Sequence, residues 1–139
     1  MSVAQLDSEL CFALYSASGH LTSLYRPLLE PLELTYTQFV VLMALWEQDA
    51  ISISQLALRA HLSKATRTPL LKRLEYKGLI ERQQLEDNER QKCIVLTKAG
   101  RDLSKKSKAI TQQVFCATGL SSQEAQEMMR LCKKILQPA

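Results

Sequence analysis

The spacing of apolar residues divides the chain into helical runs and one extended stretch. Over residues 10–29, "LCFALYSASGHLTSLYRPLL", leucines recur three, four or seven positions apart, as on an amphipathic helix. Pro27 and Pro31 are expected to end this helix. A second helical run, "TYTQFVVLMALWEQ", is followed by two shorter ones, "SISQLALRAHL" and "SKATRTPLLKRLEYKG". Because only a residue or two separates these short helices, they predict a helix-turn-helix.

Residues with capping side chains mark where these helices begin and end. Thr35 or Thr37 is expected to cap the second helix, and Ser52 with Gln55 matches a capping box. Gly78 is the stop signal of the fourth helix. Beyond it, residues 79–84 and 92–97 form two extended segments on either side of a polar tip at 86–90, the pattern of a hairpin. The remainder is helical again, with Ser121 or Ser122 expected to cap the last helix. The sequence therefore predicts a mainly α, α+β fold: a winged helix-turn-helix.

Positive charge is concentrated in the helix-turn-helix. Residues 59–82 contain seven Lys or Arg and two Glu, a net charge of +5, whereas the whole chain carries +4. A localised positive segment of this kind indicates a polyanionic partner, here double-stranded DNA.

The helix of residues 63–77 carries side chains suited to a DNA groove. Leu70, Leu71 and Leu74 are expected to face inward, which leaves short hydroxyls and long cations on the opposite face. Such groups bind phosphates and reach base edges, and an arginine on the wing can enter the minor groove. The predicted DNA-binding residues are Ser63, Lys64, Thr66, Arg67, Thr68, Lys72, Arg73 and Arg90.

The helices at the two ends of the chain have more apolar surface than a lone surface helix needs. We therefore expect residues 1–139 to form one domain, with dimerisation helices at about 1–32 and 99–139 and a DNA-binding lobe at about 35–97. In a two-fold homodimer, the two recognition helices would lie about 34 Å apart, one turn of DNA.

Composition and cysteine spacing exclude several classes of protein. The chain is 46% hydrophobic and 23% charged, no secretory signal opens it, and its longest uncharged apolar run is too short to span a bilayer. We therefore expect a cytoplasmic protein with no membrane partner. Its four cysteines form no C-x-x-C pair and have no nearby His, so neither a metal nor another cofactor is expected. By default each cysteine would be a small buried residue.

Several stretches resemble a known family. "SKATRTPLLKRLEYKGLIER" and "DNERQKCIVLTKAG" are similar to the recognition helix and wing of MarR-family repressors. "LCFALYSAS", "YRPLLEPLELTYTQF" and "LWE" resemble the OhrR-type branch of that family, which senses organic hydroperoxides, so the resemblance covers nearly the whole chain. It implies a homodimeric repressor that binds a pseudo-palindromic operator and releases it when a first-helix cysteine is oxidised by an organic hydroperoxide.

The resemblance also implies roles for individual residues. Cys11 falls on the reactive position, and Tyr15, Tyr25 and Tyr36 fall on tyrosines that surround it. Cys116 falls where two-cysteine members carry a resolving cysteine. Oxidation would give a sulfenic acid that this second thiol condenses into a disulfide, expected across the dimer. Because a disulfide brings its Cα atoms to roughly 4.4–6.8 Å, closing it would require helix movement.

Two features of the thiol's surroundings remain open from the sequence. Tyr25 lies about 21 Å beyond Cys11 along an unbroken helix, so it meets a partner's thiol unless the helix breaks near Gly19. A cap at Asp7 or Ser8 would place the thiol in the first helical turn, whereas a cap at residue 2 would place it two turns in.

The wing departs from the family pattern at one position. Asn88 stands where the family carries an Asp two residues before the arginine, so Arg90 would be held by an uncharged acceptor.

Three alternatives differ in their use of Cys11. A MarR-type repressor released by a small phenolic or lipophilic ligand would respond normally without this thiol. A thiol peroxidase would consume hydroperoxide repeatedly, although no T-x-x-C motif or nearby Arg supports one. A static DNA-binding architectural protein would ignore oxidants. Cys93 and Cys132 are expected to be packing residues in each case.

Overall fold

The computed structural model describes the backbone of residues 3–85 and 88–137 and the side chains of residues 3–84 and 92–137. Seven α-helices and three strands are assigned within these residues. In chain order they are α1 (Leu10–Leu29), α2 (Tyr36–Glu47), β1 (Ile51–Ser52), α3 (Ile53–Arg59), α4 (Lys64–Tyr76), β2 (Ile80–Leu85), β3 (Asn88–Leu96), α5 (Lys98–Asp102), α6 (Ser104–Thr118) and α7 (Ser122–Leu136).

Most helices begin at the capping residues that the sequence indicates. Thr35 caps α2 in a complete box with Gln38, and Ser121 caps α7 in the same way. At Ser52 only half of the predicted box forms, since its side chain accepts from the Gln55 N–H but no reciprocal bond joins them. Gly78 follows α4 with φ 76°, a conformation that glycine adopts without strain.

The first helix ends at Leu29, as predicted, but its start differs from each of the caps considered at residues 2, 7 and 8. It begins at Leu10, after a 3-10 turn at Leu6–Ser8, and Glu9 is its N-cap. It ends between the two prolines: Pro27 lies inside its last turn, and Pro31 lies in a second 3-10 turn at Glu30–Leu32 that follows. The helix is continuous at Gly19, so the alternative of a break there is wrong.

The predicted hairpin is present and is joined by a short third strand. β2 and β3 pair antiparallel, with Ile80 opposite Leu96, and β1 pairs with the other edge of β3. The β2–β3 hairpin follows the α3–α4 helix-turn-helix, which confirms the mainly helical winged-helix fold.

The hydrophobic core lies within the winged-helix part of the chain. It includes Phe39, Leu56, Leu71 and Ile94, each at most 1% exposed, and it reaches α6 through Ile110. In contrast, α7 has no buried residue, and α1 buries only its last one. The two end helices therefore keep apolar side chains in contact with solvent in the single chain.

No single helix among the described residues is long and apolar enough to cross a bilayer. One pair, Leu10–Leu32 with Tyr36–Glu47, passes by length and composition alone, and its two parts are bent by 76°.

Candidate nucleic-acid interface and redox site

The N-terminal end of α4 is held by hydroxyl groups. The Ser63 side chain accepts from the Thr66 N–H at 3.2 Å, and the two hydroxyl oxygens lie 2.8 Å apart. These two residues are exposed, as are Lys64 and Thr68. The first turn of α4 therefore presents hydroxyls, a cation and helical N–H groups at one surface, a combination that binds phosphate.

The basic residues of the positive segment differ in how they are engaged. Lys64, Lys72 and Arg73 are exposed and make no hydrogen bond or ion pair within the described part of the chain. Arg59 instead pairs with Glu47 at 2.7 Å, and Lys77 donates to Gln38 at 2.9 Å. Only part of the +5 charge is thus free to meet a polyanion.

Two arginines of this segment lie deeper in the surface. Arg67 is half-buried, and its Nε is buried without a hydrogen-bond partner among the described residues. Arg82 on β2 is also half-buried, and its Nε lies 3.6 Å from Glu75 Oε2, a charge contact too long for a good hydrogen bond. This pair links the base of the wing to α4. The Arg90 side chain, predicted to enter the minor groove, lies outside the described residues.

Cys11 lies in the first turn of α1, one residue after the helix begins, and is exposed in the single chain. The Glu9 side chain makes no capping hydrogen bond. A helix N-terminus favours a negative charge. The geometry thus matches the alternative in which the thiol occupies the first turn, although the cap is neither Asp7 nor Ser8.

Tyr25 and Tyr36 form a pair at the far end of α1. Their ring centroids lie 4.7 Å apart, and Phe39 packs against Tyr25 at 5.9 Å. Burial raises the pKa of both phenols above the ordinary value, and repulsion from Tyr36 adds to the rise at Tyr25. Both are therefore protonated donors at neutral pH, and neither hydroxyl makes a hydrogen bond with the described residues.

The predicted site is therefore divided between the two ends of one helix. Cys11 and Tyr15, which is 77% exposed, lie in its first half, and the Tyr25–Tyr36 pair lies about 21 Å from the thiol. One chain does not bring these residues together.

The other three cysteines occupy different environments. Cys116 is exposed near the end of α6, a helix that packs against α1. Cys93 is buried in β3, in agreement with a packing role, and Cys132 on α7 is half-buried. No group of three His, Cys, Asp or Glu side chains in the described part of the chain is placed to hold a metal ion.

Comparison with known proteins identifies the family. The sequence profile of the MarR family matches residues 34–92, from the start of α2 into the wing. The organic hydroperoxide resistance transcriptional regulator of Bacillus subtilis (strain 168) is 37% identical over 127 residues, which cover 91% of this chain and 84% of that protein. The chain belongs to the MarR family. It is a MarR-family transcriptional regulator and not an enzyme, which removes the thiol-peroxidase alternative.

Solved structures of MarR-type regulators have the same architecture. BpsR of Bordetella bronchiseptica, whose DNA binding is regulated by 6-hydroxynicotinic acid, superposes with a TM-score of 0.89 at 23% identity, covering 99% of this chain and 100% of BpsR. This similarity concerns the fold alone. Reduced AbfR bound to DNA has a TM-score of 0.75 at 29% identity, covering 94% and 91% of the two chains. Such complexes support operator DNA as the partner of this MarR-family regulator.

Several contacts of the site were not predicted from the sequence. The Arg82–Glu75 and Lys77–Gln38 pairs join residues of different elements, and no local pattern indicates them. Phe39 was assigned only to a helical run, yet it completes the aromatic cluster around Tyr25. The local signal for this cluster is the spacing of Tyr36 and Phe39, which lie three positions apart and so share one face of α2.

Proposed function

We propose that this protein is a homodimeric repressor that leaves its operator when Cys11 is oxidised by an organic hydroperoxide. The observation that carries the proposal is the separation of one exposed thiol from a pair of protonated, unbonded phenols at opposite ends of α1. A two-fold dimer with antiparallel α1 helices would bring the thiol of one protomer to the phenols of its partner. Phenol hydroxyls would then stabilise the thiolate by hydrogen bonding.

The exposed apolar surface of the end helices supports the dimer. Leu10 on α1 is 65% exposed, and Ile135 and Leu136 on α7 are 58% and 63% exposed. Apolar helix faces that a single chain leaves in solvent are typical of an interaction site. We assign the dimer interface to residues of about 1–32 and 99–139, and the DNA-binding lobe to about 35–97. A cytoplasmic location follows from the role as an operator-binding regulator.

DNA binding is assigned to α4 and the wing. The exposed cations Lys64, Lys72 and Arg73 would contact phosphates, and Arg67 would reach base edges from the same helix. The remaining members of the proposed interface are Ser63, Thr66, Thr68 and Arg90.

The switch follows from thiol chemistry in two steps. The Cys11 thiolate attacks the outer peroxide oxygen, so an S–O bond forms, the O–O bond breaks, and the alkoxide leaves and takes a proton to become an alcohol. The sulfur is oxidised to sulfenic acid while the hydroperoxide is reduced. The Cys116 thiol of the partner then attacks that sulfur, and a disulfide forms as water leaves. The new covalent distance would displace α1 and α6 and thereby change the spacing of the two α4 helices.

The test is binding to an operator duplex selected by the reduced wild-type protein from a random-sequence pool. Cumene hydroperoxide should abolish binding of the wild type and of the control Cys132→Ser, whereas Cys11→Ser should bind equally well with and without it. Unchanged wild-type binding after oxidant would overturn the proposal and favour release by a small phenolic or lipophilic ligand.

A second variant tests the resolving cysteine separately. On a non-reducing gel, oxidised wild type should migrate as a cross-linked dimer, and Cys116→Ser should not. If Cys116→Ser still cross-links, another cysteine is the resolving one.

A further inference from the structure

Lys77 differs from the exposed, unpaired cations Lys64, Lys72 and Arg73 because its ammonium group is bound within the protein. It follows the last residue of α4, where its backbone N–H still bonds to the Arg73 carbonyl. Its Nζ donates to the Glu33 carbonyl oxygen and, at 2.9 Å, to Gln38 Oε1. The charge that the sequence counts toward a polyanion partner is therefore directed at the linker between α1 and α2.

The acceptor on α2 is a buried polar group. Gln38 is 2% exposed, and its Oε1 accepts from the Thr35 N–H at 3.2 Å as well as from Lys77. Buried polar groups are normally hydrogen-bonded, and leaving one unpaired is unfavourable. Among the described residues, Lys77 thus donates one of the two hydrogen bonds that Gln38 Oε1 accepts.

The second acceptor lies where the linker turns most sharply. Glu33 has φ 58°, a left-handed conformation, and its N–H closes the 3-10 turn on the Glu30 carbonyl. The next residue, Leu34, is buried and bonds back to Leu29 of α1. The linker of residues 30–35 is therefore fixed to α1 at one end and contacts α4 through Lys77.

The same linker leads directly into the aromatic pair. Tyr36 is the first residue of α2, and its ring lies 4.7 Å from that of Tyr25 on α1. Three contacts thus connect α1 to α4. They are the Tyr25–Tyr36 ring contact, the Thr35–Gln38 cap of α2, and the hydrogen bond from Lys77 to Gln38.

We propose that Lys77 is a positioning residue for DNA binding: it fixes the C-terminal end of α4 to the linker of residues 30–35, so that the placement of α4 follows that of the linker. The proposal rests on the proposed function only in taking α4 as the helix that binds DNA. It implies that Lys77 acts without touching a phosphate.

Its test is a double-mutant cycle on operator affinity, with reduced protein and no hydroperoxide. Lys77→Met keeps the aliphatic stem but removes the donor, and Gln38→Met removes the acceptor. Each should weaken binding by about 5- to 10-fold, as expected for a coupling contact. The two effects should be less than additive in the double variant, because the Lys77–Gln38 bond is lost in both single variants. Each single variant also loses one bond of its own, from Lys77 to Glu33 or from Thr35 to Gln38. Lys98→Met, at an exposed lysine that begins α5, is the control and should bind as the wild type does.

Two further readouts separate positioning from other roles. The dependence of affinity on salt should be the same for Lys77→Met as for the wild type, since no phosphate contact is lost. Gln38→Glu keeps an acceptor for the Thr35 N–H and for Lys77, so it should retain wild-type affinity. This variant keeps the proposal testable if Gln38→Met does not fold.

Three results would overturn the proposal. They are a reduced salt dependence for Lys77→Met, additive effects in the double variant, or a lowered melting temperature with unchanged operator affinity. A wild-type protein that binds operator but keeps it after oxidation would instead refute the redox proposal alone.

Discussion

The number of basic side chains that are not paired within the protein predicts how steeply DNA binding depends on salt concentration. Lys64, Lys72 and Arg73 are free in the described structure, so a homodimer would present six such cations. The logarithm of the binding constant falls with the logarithm of salt concentration by about 0.9 per phosphate contact, so α4 alone should give a slope of about −5.4. Lys72→Met removes two contacts per dimer and should reduce the magnitude of the slope by about 1.8.

Arg59→Met is the matched comparison. Its guanidinium is 2.7 Å from Glu47, and both side chains are more than half exposed, so removing it should leave the slope nearly unchanged. The assay is fluorescence anisotropy of the labelled operator duplex with each reduced variant over a series of KCl concentrations. Equal loss of slope in the two variants would contradict this prediction, because net charge, and not whether each cation is already paired, would then determine binding.

Three other predictions concern the fold. Gly100→Ala should lower the free energy of unfolding by about 3 kcal/mol in a denaturant titration, because a Cβ there would overlap the backbone oxygen of Leu79. The control is Gly19→Ala, which has open space around it and should be neutral or stabilising. Burial raises the pKa of Tyr25, so the stability that its protonated phenol contributes is present below pH 10.0 and is lost as the pH rises above that value. In unfolding titrations at alkaline pH, Tyr25→Phe should therefore lose less stability with rising pH than the wild type does. Ser121→Ala should destabilise the protein by about 1 kcal/mol through the lost cap of α7, measured by thermal unfolding; no change would mean that α7 is not part of the cooperative unit.

The helices and the hairpin could be predicted because their signals are local. Leucine spacing, the caps at Thr35 and Ser121 and the left-handed Gly78 each act within a few residues of the chain. β1 could not be predicted, since two residues have no period of their own and become a strand only by pairing with β3.

The candidate site could be predicted as a set of residues but not as an arrangement. The sequence identifies seven cations near α4, yet the Lys77–Gln38 bond spans 39 positions and depends on tertiary packing. Likewise, helical geometry separates Cys11 from Tyr25, but only the continuity of α1 at Gly19 excludes a local bend that would join them.

The proposed release of the operator by oxidation of Cys11 can be measured directly. Reduced protein on labelled operator receives increasing, substoichiometric cumene hydroperoxide, and each sample is divided between fluorescence anisotropy and peptide mass spectrometry. We expect the fraction of DNA released to rise in proportion to the fraction of Cys11 oxidised, while Cys93 stays reduced. Release with Cys11 still reduced, or full oxidation of Cys11 with the operator still bound, would contradict it.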